Sequence, residues 1–169
     1  MYTSDFLIGL AHPLTGADHV LAMVAVGLWS AMAGGRAVWV WPLAFVLMVL
    51  MGFAAGFDGL HVPLVEPTII SSVVVLGLLV ALAVPAPLWG GVVIMGLFAF
   101  VHGHAHGTEI LGRSLQPIAY ALGFSLATAA LHVTGLWCGL LLARWPGKSL
   151  RAMGGLIALG GVALIAMAA

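Results

Sequence analysis

Two short stretches hold most of the side chains able to do chemistry. "HPLTGADH" contains His12, Asp18 and His19, and "FVHGHAHGTE" contains His102, His104, His106 and Glu109. Imidazole with carboxylate, and no thiolate, is a donor set for Ni2+, Co2+ or Zn2+ rather than Cu+ or Mg2+. His12 and His19 are seven residues apart, so on a continuous helix they return to one face, about 10 Å apart along its axis. Asp18 can ligate a cation or orient an imidazole through its second nitrogen. His102, His106 and Glu109 stand at i, i+4 and i+7 on one face, while His104 points roughly the other way. Gly103 and Gly107 would let another helix approach closely beside the imidazoles. Pro13 has no N–H for the carbonyl of Gly9, and Gly16 is a second weak point. The first helix is therefore expected to kink where its ligands sit, as in transporters that bind substrate at broken helices.

The elements that must position these groups are membrane helices. The 169 residues are 63% hydrophobic and 6% charged, with a mean hydropathy of +1.22. Soluble domains carry about 25% charged residues, so this chain could not cover a water-facing surface. One all-α, polytopic membrane domain over residues 1–169 is expected. A helix needs about 20 apolar residues to cross the hydrocarbon, and Gly, Pro and charged breaks leave six such spans. They run at roughly 5–33, 38–57, 66–84, 88–108, 115–142 and 150–168. The β-branched run "SSVVVLGLLV" could be strand on propensity alone, but its length and lack of polar alternation argue against a barrel. Trp39, Trp41, Trp89, Trp137 and Trp145 fall near span ends, where interfacial anchors belong. The eight methionines are scattered, as expected for packing. Cys138 is the only cysteine, which excludes an intrachain disulfide. The formal net charge is zero, so nucleic acid is not an expected partner; the lipid bilayer and a divalent transition-metal ion are.

Basic residues set the orientation. The loops after spans 1, 3 and 5 share a side and hold Arg36, Arg144, Lys148 and Arg151, while the other side holds only Arg113, four residues after Glu109. In a bacterial inner membrane this bias puts the odd loops in the cytoplasm and both termini outside. An external N-terminus fits a cleaved leader, and the abrupt start "MYTSDFLIG" fits one removed and replaced by Met1. The outer side collects Asp5, Asp58, His61, Glu66 and Glu109, and such acids concentrate cations at a mouth. Ionisable groups inside spans are costly to bury and usually functional, which points to a metal permease with its site between spans 1 and 4. His61 is expected to face solvent. His132, in "ALHVTG", either bonds a neighbouring helix or lies on the ion's inward route. The rival reading is an intramembrane zinc-dependent hydrolase, with its metal drawn from His12, Asp18, His19, His102 and His106. Against it, no H-E-x-x-H helix is present, and Ser71 and Ser72 would more readily bond back to their own backbone. A purely structural subunit explains none of the buried ligands, and no nucleotide-binding motif appears.

"HPLTGADH" has the pattern H-x5-D-H, and "FVHGHAHGTE" is similar to F-H-G-x-A-H-G-x-E with one residue inserted after Phe100. With "VEPTIISSVVVLG" in span 3, the chain resembles the HupE/UreJ family of hydrogenase and urease accessory proteins over nearly its whole length. The resemblance implies a small six-span permease, not an enzyme and without a resident cofactor. Such permeases take up Ni2+, in some members Co2+, for metalloenzyme maturation. It also implies roles: His12, Asp18 and His19 as first-helix ligands, His102, His106 and Glu109 as the fourth-helix set, and Glu66 as the glutamate opening span 3. His104 falls on a variable position of the motif. Members often carry a cleaved leader, which this sequence lacks.

Cysteine labelling should find positions next to Thr3 and Ala168 reactive from outside the cell, and position 148 reactive only from the cytoplasm. A cytoplasmic C-terminus would overturn the orientation drawn from the basic residues.

Overall fold

The computed structural model describes residues 2–113, 116–144 and 148–168. Its elements are α1 (Tyr2–Thr15), α2 (Ala17–Ala33), α3 (Ala37–Phe57), α4 (Val65–Ala81), α5 (Leu88–Glu109), α6 (Pro117–Leu142) and α7 (Ser149–Ala168). No strand occurs among the described residues. The β-branched run at 71–80 lies within α4, because an apolar medium requires each backbone group to be satisfied inside its own segment. Four helices, α3, α5, α6 and α7, are long and apolar enough to cross a membrane, and the bent pair α1–α2 passes the same test when taken as one span. At 17 residues, α4 extends about 25 Å, short of a hydrocarbon core of about 30 Å. Each of the six expected spans thus has its helical counterpart, but not all six meet the length of a crossing.

The first expected span is corrected most. The chain does not merely kink: α1 and α2 meet at 82°. Pro13 stays inside α1, and the break falls at Gly16, whose backbone is extended (φ −98°, ψ 118°). α2 then descends into the bundle. α1 lies against the first turns of α6, where Gly9 meets the Tyr120 backbone and Gly123 meets that of Phe6. The N–H of Gln116 donates to the Asp5 carboxylate at 3.2 Å.

Glycine governs how the helices pair. α3 packs along α5, α4 along α7, and both α1 and α2 along α6. A Cβ at Gly103 or Gly107 would collide with the carbonyl oxygen of Val49 or Phe53, and one at Gly52 or Gly56 with that of Phe100 or His104. Gly27 and Gly135 play the same part between α2 and α6. Without a hydrophobic drive between helices in lipid, such small-residue contacts are what let backbones associate. Turning Gly103 and Gly107 toward α3 settles the rest of α5. At about 100° per residue, His102, His106 and Glu109 fall to one side of that contact and His104 to the other.

The bundle has two distinct ends. At one, the indole N–H groups of Trp29 and Trp41 donate to the carbonyls of Val84 and Leu88 at 3.0 and 2.9 Å, with the two rings 4.6 Å apart. There Arg151 also donates to the Ala81 carbonyl at 2.8 Å. Arg36, Arg144 and Lys148 flank helix termini at this same end. The opposite end holds Asp5 with Gln116, and a cleft shared by Glu66 and Ala168, so both described chain ends lie there. Trp39, Trp89 and Trp137 are exposed on the outer surface as anchors should be, but Trp41 is fully buried because its N–H finds a partner inside. Trp145 lies outside the described residues.

Gly103→Val should destabilise the purified protein by about 1–3 kcal/mol or more, as overpacking does. Gly155→Ala, where a Cβ meets nothing within 4 Å, should be neutral or slightly stabilising. Thermal melts in detergent compare the two, and equal stabilities would overturn the backbone-contact account of the bundle.

Candidate metal-ion site

The histidines and acids meet in a cavity of about 510 Å³ at the Glu66 end, lined by His12, His19, His61, Glu66, His104, His106, Glu109 and their neighbours. Four imidazoles form a continuous cluster. His12 lies 4.9 Å from His106 between ring centroids, His19 lies 4.9 Å from His106 and 5.1 Å from His102, and His12 lies 6.5 Å from His19. The break at Gly16 brings His12 and His19 nearer than one helix would, since the expected separation was about 10 Å. Histidines from α1, α2 and α5 thus face one another.

Two of the imidazoles are held by one ring nitrogen. The Nδ1–H of His19 donates to Asp18 Oδ1 at 2.9 Å, and the same oxygen accepts the His19 backbone N–H at 2.8 Å. A carboxylate only accepts, so the proton sits on Nδ1 and the Nε2 lone pair is left free. That Nε2 is buried and has no hydrogen-bond partner among the described residues. His102 repeats the pattern: its Nδ1–H donates to the Phe98 carbonyl at 2.9 Å, and its buried Nε2 is unpartnered. Nδ1 of His106 is likewise buried and unpartnered. Fixing one ring nitrogen so that the other points its lone pair inward is how metal-ligating histidines are usually held.

A second arrangement lies nearer the mouth. His12 Nε2 and Glu109 Oε2 are 2.8 Å apart, and Arg113 reaches Glu109 Oε1 at 3.4 Å. His12, His106 and Glu109 each offer a ligand atom within 4.8 Å of one another, close enough to hold one metal ion. The pairing of Arg113 with Glu109 follows their four-residue spacing.

The remaining candidates take distinct places. Glu66 is exposed at the rim of the cavity, beside the cluster rather than in it. His61 is exposed, as expected, and also lines the cavity. His104 points away from the cluster: its Nε2–H donates to the Leu60 carbonyl at 2.6 Å and ties α5 to the chain between α3 and α4. Ser72 donates to the Ile69 carbonyl at 2.6 Å, a bond back to its own helix, and Ser71 is exposed.

Sequence reasoning missed Tyr120 as part of the site, and saw Gly16 only as a weak point in the helix. The Tyr120 ring lies 6.0 Å from His12, and its buried hydroxyl has no partner among the described residues. A tyrosine within an apolar span was the available signal, since a buried hydroxyl usually finds a partner. A Cβ at Gly16 would sit 2.7 Å from Asp18 Oδ1 and 3.0 Å from His19 Nδ1. Gly16 thus leaves room for the pair that orients His19.

Comparison with known proteins places the chain in a family. The family model described as HupE / UreJ protein matches residues 1–164. The chain is 42% identical over 166 residues to Protein HupE of Rhizobium leguminosarum bv. viciae, covering 98% of this chain and 86% of that one. No solved structure matches the chain. With most of its length matched by both a family model and a curated relative, this membrane protein belongs to the HupE/UreJ family.

Proposed function

We propose that this protein is an uptake permease for Ni2+, with Co2+ as the second candidate, supplying hydrogenase or urease maturation in the bacterial inner membrane. The observation that carries the reading is the set of unpartnered, buried imidazole nitrogens on His19, His102 and His106 beside the His12–His106–Glu109 cluster. Buried polar groups are costly unless matched, and a divalent cation with nitrogen preference matches all of them. Glu66 and His61 attract the hydrated ion at the rim. His12, His106 and Glu109 exchange its water for imidazole and carboxylate, and His19 and His102 take it one step deeper. Asp18 keeps His19 in the tautomer that presents Nε2.

The ion competes with protons at the first step. His12 Nε2 and Glu109 Oε2 lie 2.8 Å apart, and a cation held between them needs a neutral imidazole and an ionised carboxylate, so metal binding competes with protons. In this reading the chain crosses the membrane six times, with α1–α2 as a broken first crossing and both termini outside. No observation favours the zinc hydrolase: Ser72 is engaged with its own helix and Ser71 is turned outward.

Asp18→Asn and His19→Ala should each lower Ni2+ uptake by cells at least about tenfold, because even outer-shell partners of a metal ligand are worth about 10–100-fold. Uptake is compared at equal protein accumulation, with Co2+ and Zn2+ measured in parallel. Wild-type uptake in either variant would overturn the proposed site.

Ni2+ binding by the purified protein should weaken as pH falls through about 6.5, the ordinary histidine value, with bound metal drawing the midpoint lower. Equilibrium dialysis across that range provides the check, and pH-independent binding would mean that imidazole is not the ligand.

A further inference from the structure

One buried histidine has no part in that site. His132 of α6 is 1% exposed, and neither of its ring nitrogens has a hydrogen-bond partner among the described residues. The bond to a neighbouring helix that would explain a lone intramembrane histidine is not made there. A neutral imidazole carries one N–H and one lone pair, and leaving both unmatched in a dry interior is costly.

Its surroundings lie in line with the metal cluster. Phe45 of α3, fully buried, contacts His132 edge-on at 4.9 Å between centroids and His102 at 5.9 Å. One phenyl ring therefore adjoins the deepest histidine of the cluster and the orphaned one. On α6, buried Ser125 and Thr128 precede His132 by seven and four residues, on the same face. They form a polar line from the region of Phe124, which packs on His106 at 4.9 Å. His132 also borders an apolar groove of about 410 Å³ between α3 and α6, whose rim includes exposed Trp39, Leu43 and Val133. Pro42, on the same groove, has no N–H to give the Val38 carbonyl, although α3 continues through it unbroken.

We propose that His132 is a second, inner station for the transported divalent metal, reached from His102 past the Phe45 ring. The proposal rests on the uptake reading and adds a place for the ion to go. Conduction needs sites strong enough to fill and weak enough to empty, usually more than one in series. A cluster of four imidazoles and a carboxylate loads the ion, and a single imidazole with hydroxyl neighbours lets it go.

The test uses the full chain in proteoliposomes, with Ni2+ affinity and Ni2+ flux measured separately. His132→Ala and His132→Gln should keep Ni2+ affinity within about twofold while flux falls at least about tenfold. A histidine that merely fills space there would be rescued by glutamine, which occupies a similar volume. Wild-type flux in both variants, with Glu109→Gln inactive, would overturn the inner station and leave the uptake reading standing. No flux through the wild-type protein would overturn both. If both variants misfold, anomalous scattering from wild-type crystals soaked in Co2+ decides. A second peak within bonding distance of the His132 ring supports the station, and a peak at the outer cluster alone overturns it.

Discussion

Between α3 and α5 the two backbones run so close that positions 52, 56, 103 and 107 admit nothing larger than hydrogen. This contact sets the rotation of α5 about its own axis, and the site follows from that angle. With Gly103 and Gly107 against Val49 and Phe53, His102, His106 and Glu109 turn toward the side where α1 and α2 present His12 and His19. His104, on the other flank, is left to fasten the chain beyond α3. A side chain at any of these glycines would both separate the helices and swing the imidazoles out of register.

The second element of the geometry is the turn at Gly16. Asp18 sits in the first turn of α2, where a negative charge is favoured by the exposed N–H groups of the helix end. It accepts a backbone N–H there and the imidazole N–H of His19 with one oxygen. One carboxylate thus stabilises the start of a helix and orients a ligand. This explains why an acid can be retained in so apolar a segment, and why a side chain before Ala17 would displace the Asp18–His19 pair.

Much of this was legible from spacing alone. Residues three, four and seven apart on α5 share a face in any helix, so their grouping needed no tertiary information, and neither did the demotion of His104. Span 1 was harder. The weak points at Pro13 and Gly16 were visible, but periodicity assumes a continuous helix, and the 82° break brought His12 and His19 together by another route. Trp41 reads as an interfacial anchor from its position near a span end, yet lies in the core because the Leu88 carbonyl, 47 residues away, receives its N–H. Phe45 and Tyr120 escaped for the same reason. Their environment is made by helices distant in sequence, and no local pattern encodes it.

The buried indole pair at the arginine-rich end bears on what else could leak through the protein. Trp29 and Trp41 lie 4.6 Å apart and donate their only polar hydrogens to the carbonyls of Val84 and Leu88, so they offer nothing to a chain of water molecules. Protons move along such chains much faster than a dehydrating metal ion can follow. A buried aromatic pair with no free polar hydrogen therefore gives protons no side-chain relay through that part of the bundle.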